Sequence, residues 1–226
     1  MPTTRKFKAV LFDLGGTLVK TVDVPEIFRR ILEAYGVKVS IDSIAKVHSA
    51  NQREHDVEEM AKLGQEYWVR WNLRVLEKLG IGENKQFLAR KIDELWWKYA
   101  ELAIYPEVKE TLFQLRSKGI KTGIVTNGLE RDFKQILQKL DLTNHFDVVV
   151  GVDACKKAKP DKEIFLYAVY SLHLRPEEAI FVGDSIEYDY EGAKKAGLHP
   201  IMIDRKAKIS ADVEIVRSLT EVLVYF

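Results

Sequence analysis

The 226-residue sequence has one cysteine, almost no net charge and no long apolar segment, and each of these features argues against a class of protein. The single cysteine, Cys155, cannot form an internal disulfide or a zinc site built from several cysteines. Lys and Arg number 35 against 34 Asp and Glu, so the charge gives no reason to expect a nucleic acid or an anionic membrane as partner. No apolar stretch approaches the roughly 20 residues of a membrane-spanning helix, and the N-terminus lacks the apolar region of a secretory signal.

These features lead us to expect a cytoplasmic protein that works as a monomer or homodimer. The residues that are present are 46% apolar, which is enough for a substantial core, and 31% charged. High charge with little cysteine, asparagine and glutamine favours a thermophilic source. The length fits either one large α/β unit or a core domain that carries an insertion.

Five short apolar runs are typical of strands buried on both faces of a sheet. They are Phe7–Phe12, Thr122–Val125, Val148–Val150, Ile180–Val182 and Ile201–Ile203. Amphipathic helical patterns separate the last four runs. This alternation predicts an α/β fold, with a Rossmann-like parallel sheet as its core and helices on both faces. Val222–Phe226 either adds a last strand or packs at an edge.

The segment between Leu18 and Tyr105 breaks this alternation. Apolar residues recur there at helical spacing without a comparable strand, and all four tryptophans lie in it. The aromatic content favours a helical core. We predict an all-helical domain over residues 20–105, inserted into an α/β core formed by residues 1–19 and 106–226.

Polar residues follow the predicted strands at the edge of the sheet where parallel α/β proteins bind their ligands. They are Asp13 after the first strand, Thr126 and Asn127 after the second, Lys159 beyond the third, and Asp184 and Asp189 after the fourth. Carboxylates suit Mg²⁺, while a lysine, a hydroxyl and backbone amides suit a phosphoryl group. Each residue alone is a weak signal. Together, at successive strand ends, they predict a site for a divalent cation and a phosphoryl group.

The same residues match four motifs of a known family, and the sequence resembles the haloacid dehalogenase-like hydrolases. The resemblance is to the branch whose helical cap is inserted after the first strand. Motif one aligns with residues 13–17, motif two with Thr126 and motif three with Lys159. Motif four, an acidic pair, aligns with Asp184 and Asp189.

This resemblance implies how the carboxylates act. Asp13 would be the nucleophile and would form an aspartyl-phosphate, which divides hydrolysis into two easier displacements. Mg²⁺ would be held by Asp13, the Gly15 backbone carbonyl, Asp184 and Asp189. The cation would neutralise and orient the transferring group.

Three further residues would contact the substrate if the resemblance holds. Thr126 and the amide of Asn127 would bind phosphoryl oxygens. Lys159 would also bind them and would take part in catalysis by screening the carboxylates, because unscreened like charges raise a carboxylate pKa and weaken the nucleophile.

Gly15 departs from the family pattern. Phosphatases of the family carry an Asp at this position, which protonates the leaving group and later activates the attacking water. A general acid–base group typically contributes about 10²–10⁴-fold to the rate. The resemblance therefore implies a Mg²⁺-dependent hydrolase of a small phosphorylated metabolite that is impaired for ordinary monoesters.

Two alternatives stay open. The first is a metal-independent hydrolase of the dehalogenase type, which needs neither metal nor acid, although the metal-binding form of motif four at Asp184 counts against it. The second is a non-catalytic member of the family that binds a phosphorylated ligand or a protein partner.

A polar stretch in the predicted insert contains His48, Asn51, Arg53 and His55. His48 and His55 are seven residues apart, a spacing that places them on one face of a helix. Either imidazole could replace the missing proton donor, since the usual histidine pKa is about 6.5. We favour the alternative of a solvated helix face.

Overall fold

A computed structural model describes residues 6–52 and 54–226 of the protein. The strands are β1 (Ala9–Phe12), β2 (Val19–Lys20), β3 (Ala103–Ile104), β4 (Lys121–Val125), β5 (Val148–Val150), β6 (Ala179–Gly183), β7 (His199–Ile203) and β8 (Ile215–Val216). The helices are α1 (Val24–Ala34), α2 (Ile41–Gln52), α3 (Val57–Leu63), α4 (Gln65–Lys78), α5 (Lys85–Tyr99), α6 (Val108–Ser117), α7 (Glu130–Lys139), α8 (Val152–Cys155), α9 (Lys162–Ser171) and α10 (Glu191–Lys195). Two 3₁₀ helices, Pro176–Glu178 and Leu219–Tyr225, and a π-helix, Ile186–Tyr190, complete the regular structure.

Six strands form one parallel sheet in the order β5-β4-β1-β6-β7-β8. β1 lies in the middle, where Ala9 is opposite both Lys121 of β4 and Ala179 of β6. Every residue of β1 and β6 is buried, as expected of strands covered on both faces. The predicted α/β fold with a Rossmann-like parallel sheet is confirmed.

The helices around the sheet follow the apolar spacing of the sequence. α6 begins just after Pro106 and buries Val108, Leu112 and Leu115 on one face. Gly119, with a φ of 71°, follows its last turn. Glycine suits this end of a helix because it adopts positive φ without a steric penalty.

The structure excludes one of the two alternatives for the carboxyl-terminal segment. Val222–Phe226 is not a strand, because Leu219–Tyr225 forms a 3₁₀ helix with Leu219 and Val222 buried. The sixth strand of the sheet is instead β8, which pairs with the end of β7. Two residues are too few to show a strand pattern in the sequence.

The chain divides into two compact units. The core unit contains the chain up to Lys20 together with Ile104–Phe226, and the helical unit is Thr21–Ala103. The short strands β2 and β3, which form a separate two-stranded sheet, occur where the chain passes between the units. The assignment of residues 20–105 as a cap, and of 1–19 and 106–226 as a catalytic core, stays a prediction.

The helical unit has its own apolar core, in which α1 shows how the sequence forms a helix. Pro25 stands in its first turn, where a missing N–H costs nothing. Ile27, Phe28 and Ile31 are buried along one face, and Gly36, with a φ of 78°, follows the helix. No helix in the described ranges has an apolar stretch long enough to cross a membrane.

Candidate active site

Asp13 is the first residue after β1, at the carboxyl end of the sheet. Its backbone N–H donates to the carbonyl oxygen of Val182 in β6 at 2.9 Å, which ties the turn to the neighbouring strand. The chain then turns tightly, and the N–H of Gly16 donates to the carbonyl of Val19 at 2.8 Å. The carboxylate of Asp13 is thereby held at the sheet edge and is only 8% exposed.

Lys159 is buried and joins two carboxylates. Its Nζ donates to Oδ1 of Asp13 and to Oδ1 of Asp189, each at 2.6 Å. The side chain of Asn127 fixes the Lys159 backbone, because its Oδ1 accepts from the Lys159 N–H at 2.7 Å and its Nδ2 donates to the Lys159 carbonyl at 3.0 Å. Lys159 is only 3% exposed, and hydrogen bonds hold both its backbone and its Nζ.

Asp184 and Asp189 follow β6. Asp189 lies in the π-helix, and its Oδ2 accepts from the Ser185 N–H at 3.0 Å. One oxygen from each of Asp13, Asp184 and Asp189 lies within 4.8 Å of the others, and Asp184 is the exposed member of the three. We call these residues the carboxylate cluster.

Two glycines allow the loops of the carboxylate cluster to approach each other. A Cβ on Gly16, which has a φ of 79°, would lie 2.1 Å from Oδ2 of Asp184. A Cβ on Gly183 would lie 2.4 Å from the carboxyl carbon of Asp189. Both separations are far below van der Waals contact, so a side chain at either position would displace a carboxylate.

Gly15 differs from these two glycines. It is exposed, and a Cβ built on it would meet no atom within 4 Å. The structure therefore has room for a side chain at this position, and the sequence provides none.

Burial has the largest effect on the acidity of the cluster. Loss of hydration raises the pKa of Asp13 to about 7, against the opposing effect of Lys159 and with further repulsion from Asp189 and Asp184. Partial desolvation, followed by the charge of Asp189, raises the pKa of Asp184 to about 6. Burial is the main cause of both shifts, and the three carboxylates also outnumber the one lysine beside them.

This donor set fits a divalent cation. Three carboxylates supply hard oxygen ligands, which Mg²⁺ and Ca²⁺ prefer, and a bound cation would offset the excess negative charge. Gly15, whose carbonyl is the fourth predicted ligand, lies in the same turn as Asp13.

Thr126 also follows its strand as predicted, directly after β4, and is 7% exposed. Its Oγ1 accepts from the Gly128 N–H at 3.1 Å, which orders the turn. Asn127 contacts Lys159 through its side chain, an interaction the sequence did not predict.

Arg205 is a site neighbour that the sequence analysis missed. Its Nη2 donates to the carbonyl of Thr17 at 2.9 Å, and its guanidinium lies 3.7 Å from the centre of the Tyr105 ring. It also forms an ion pair with Glu107. Arg205 comes two residues after β7, so the rule that found the other site residues at strand ends would have found it too.

The histidine hypothesis is changed by the structure. His48 lies in α2, whereas His55 lies beyond the end of that helix and before α3, so the two do not share a helical face. Neither is on a solvated helix face. The His48 ring contacts the rings of Phe28 and Trp71.

His55 is held in a similar aromatic environment. Its Nδ1 lies 2.6 Å from the hydroxyl oxygen of Tyr67, and its ring stacks on Trp68. Burial lowers the pKa of both His48 and His55, so both are neutral at pH 7. Arg53, named in the same polar stretch, lies outside the described residues.

Comparisons with known proteins agree with the geometry. The sequence model of the haloacid dehalogenase-like hydrolases matches residues 7–197. The chain is 31% identical to a glyceraldehyde 3-phosphate phosphatase of Methanopyrus kandleri, over 88% of this chain and 84% of that protein. It is 30% identical to a phosphorylated carbohydrates phosphatase of Thermotoga maritima, over 96% of this chain and 100% of that protein.

A solved structure of a different activity shares the fold. The 2-haloacid dehalogenase of Pseudomonas syringae superposes with a TM-score of 0.71 at 24% identity, covering 97% of each chain. The fold therefore does not by itself distinguish attack on phosphorus from attack on carbon.

Proposed function

Because the chain belongs to the haloacid dehalogenase-like hydrolase family, we propose that it is a Mg²⁺-dependent phosphatase of small phosphorylated metabolites. Its membership confirms the prediction of a hydrolase, and its phosphatase relatives, named for sugar and triose phosphates, support the substrate class. The observation that carries the proposal is the carboxylate cluster bridged by Lys159. We assign the helical unit the role of the family's cap.

Asp13 is the proposed nucleophile. Lys159 contacts its Oδ1, so we assign the attack on phosphorus to Oδ2. A bond forms between Oδ2 and phosphorus while the bond from phosphorus to the leaving oxygen breaks, and the electron pair departs with that oxygen. Water then attacks the phosphorus of the aspartyl-phosphate, and Asp13 is released as a carboxylate.

The remaining residues hold the reacting groups. Asp13, the Gly15 carbonyl, Asp184 and Asp189 are the proposed ligands of Mg²⁺, which when bound neutralises charge on the phosphoryl group. The charge of Lys159 favours the ionised form of Asp13, against the larger opposing effect of burial. By donating to both Asp13 and Asp189, Lys159 also positions these two carboxylates relative to each other.

Thr126 and Asn127 complete the proposed phosphoryl site. We assign the Thr126 hydroxyl and the Asn127 N–H to the phosphoryl oxygens. The side chain of Asn127 has the additional task of holding Lys159.

Hydrolysis of 4-nitrophenyl phosphate with and without Mg²⁺ tests the proposal. We expect turnover only with Mg²⁺, and a loss of about 10³-fold or more in Asp13→Asn, because an amide is a poor nucleophile. Asp141→Asn is the matched control, since the Asp141 side chain is 95% exposed and its substitution should leave the rate unchanged.

Other outcomes would select the alternatives. Equal turnover in Asp13→Asn and the parent would remove Asp13 from the mechanism. Release of chloride from chloroacetate without metal would favour the dehalogenase type. Absence of Asp13-dependent turnover of every phosphate ester, in the parent and in Gly15→Asp, would favour a non-catalytic member.

A further inference from the structure

The described core unit offers no free proton donor beside the proposed nucleophile. Gly15 has no side chain, although the space above it is open. The carboxylate of Asp13 lies against the Nζ of Lys159 and close to the carboxylates of Asp189 and Asp184. The two carboxylates are the proposed metal ligands, which leaves Lys159 to be considered.

Lys159 is not available to protonate a leaving group. Its Nζ lies 2.6 Å from one oxygen of Asp13 and 2.6 Å from one of Asp189, and the residue is 3% exposed. A proton given up here would leave two buried carboxylates without their shared cation.

The nearby hydroxyls are no better placed. Thr17 is 0% exposed, so its Oγ1 does not face solvent. The Oγ1 of Thr126 accepts from the Gly128 N–H, and a threonine hydroxyl is in any case far too weak an acid to act near pH 7.

A leaving oxygen must then depart from this site as an anion. The cost depends on the acidity of its conjugate acid, because no donor neutralises the charge that develops in the transition state. Water and simple alcohols are extremely weak acids, whereas a carboxylic acid has a pKa of about 4. An alkoxide is therefore a very poor leaving group here and a carboxylate a good one.

We infer that this enzyme selects phosphoryl compounds whose leaving group is a stable anion, with acyl phosphates as the biological class, over alkyl monoesters, an inference that rests on the phosphatase function proposed above. In the first step the acyl carboxylate departs without a proton as Asp13 binds phosphorus. In the second step the attacking water forms a bond to phosphorus while the bond between Oδ2 and phosphorus breaks. One water proton passes to a phosphoryl oxygen and the other stays on the attacking oxygen, so dihydrogen phosphate is released and Asp13 returns as a carboxylate. Both departing groups are carboxylates, and neither step needs a side-chain acid.

The inferred selectivity differs from the activities for which two relatives are named, on glyceraldehyde 3-phosphate and on phosphorylated carbohydrates. Position 15 is where this chain can be changed to test it, because the turn has room for a side chain there.

The test compares kcat/KM for four substrates of decreasing leaving-group acidity: acetyl phosphate, 4-nitrophenyl phosphate, phenyl phosphate and glycerol 3-phosphate. With Mg²⁺, the parent should prefer the first two over the last two by about 10²-fold or more. Gly15→Asp should raise kcat/KM for phenyl phosphate and glycerol 3-phosphate by about 10²–10⁴-fold. The dependence of kcat/KM on leaving-group acidity should therefore become shallower. Gly15→Asn, of the same size but unable to transfer a proton, should keep the steep dependence of the parent.

Each remaining outcome overturns the inference in a recognisable way. A shallow dependence in the parent would mean that another group donates the proton, and its steepening in His48→Ala or His55→Ala would identify that group. A parent inactive even on acetyl phosphate, beside an active Gly15→Asp, would refute the selectivity while keeping the phosphatase function. Failure of both proteins on all four substrates would instead refute the proposed function.

Discussion

Charged side chains are used differently in the two units of the molecule. In the helical unit, Glu26 pairs with Arg29 and Arg30 on one face of α1, where these side chains are 21–31% exposed. In the core unit, Lys159 bridges Asp13 and Asp189, with the Lys159 and Asp189 side chains 4% and 2% exposed. The first group borders water, and the second is removed from it.

This difference shows which charges are kept for function. Exposed ion pairs change stability little, because water and salt screen them and ordering the side chains costs entropy. Burying a charge costs several kcal/mol per ion, even when it is paired. Two buried carboxylates around one lysine, with the exposed Asp184 beside them, are therefore unfavourable for folding, as is typical of functional sites.

Removing the buried Lys159 side chain should have the largest effect. In Lys159→Met, two buried carboxylates lose their shared partner. We expect the free energy of unfolding to fall by about 3–5 kcal/mol and Mg²⁺-dependent turnover to be lost. Glu26→Gln, the counterpart in the helical unit, should shift the urea midpoint only slightly. Urea unfolding of both variants is the measurement, and equal shifts would contradict the distinction.

Crowding the carboxylate cluster should have a smaller effect. A methyl group in Gly16→Ala would meet Asp184 and would also strain the positive φ at this position, so we expect Mg²⁺ affinity to fall by about 10-fold or more. Gly15→Ala, one residue earlier, meets no atom within 4 Å and should lose much less. Mg²⁺ titration of turnover compares the two, and equal losses would contradict the geometry.

The dependence of stability on pH tests the burial of Asp13 without changing the cluster's geometry. Burial raises the pKa of Asp13 from its usual 3.8 to about 7, so the folded state binds more protons than the unfolded state between these values. Stability from this group therefore falls as pH rises through that window and stays lost above about pH 7.

Thermal unfolding of the parent and Asp13→Asn without Mg²⁺ isolates this contribution, because the amide does not titrate. The parent should lose stability relative to the variant between pH 4 and 7. The shift of about three pKa units sets an upper bound of about 4 kcal/mol, and each kcal/mol corresponds to about 2–4 °C in a chain of this size. Mg²⁺ should restore the loss near pH 7, and a constant difference across the range would contradict the raised pKa.

Much of the core fold followed from local patterns. Runs such as Ile180–Val182 are apolar and β-branched enough to predict β6, and Pro106 and Gly119 bracket α6. The sequence did not predict β8, because two residues show no periodicity. The position of β8 in the sheet depends on its pairing with β7. The 3₁₀ helix at the carboxyl terminus escaped because a short apolar run fits a strand equally well.

Local patterns likewise predicted some of the candidate site residues and not others. Strand ends located Asp13, Lys159 and Asp184, since parallel strands bring their carboxyl ends to one edge. Sequence spacing was a poor guide in the helical unit, where α2 ends before His55 and the predicted shared face does not exist. Helical periodicity applies only within one helix.

The sequence alone indicated the five longer strands of the core, the helical segment after the first of them, the candidate carboxylates and the absence of a side chain at position 15, because all of these are properties of residue type and spacing. Only the tertiary structure decided that Lys159 joins Asp13 to Asp189, that Gly16 must be small and that Gly15 need not be. Those three facts depend on distances of a few ångströms between residues far apart in the chain. Such distances are set by how the strands and loops pack, which no local pattern records.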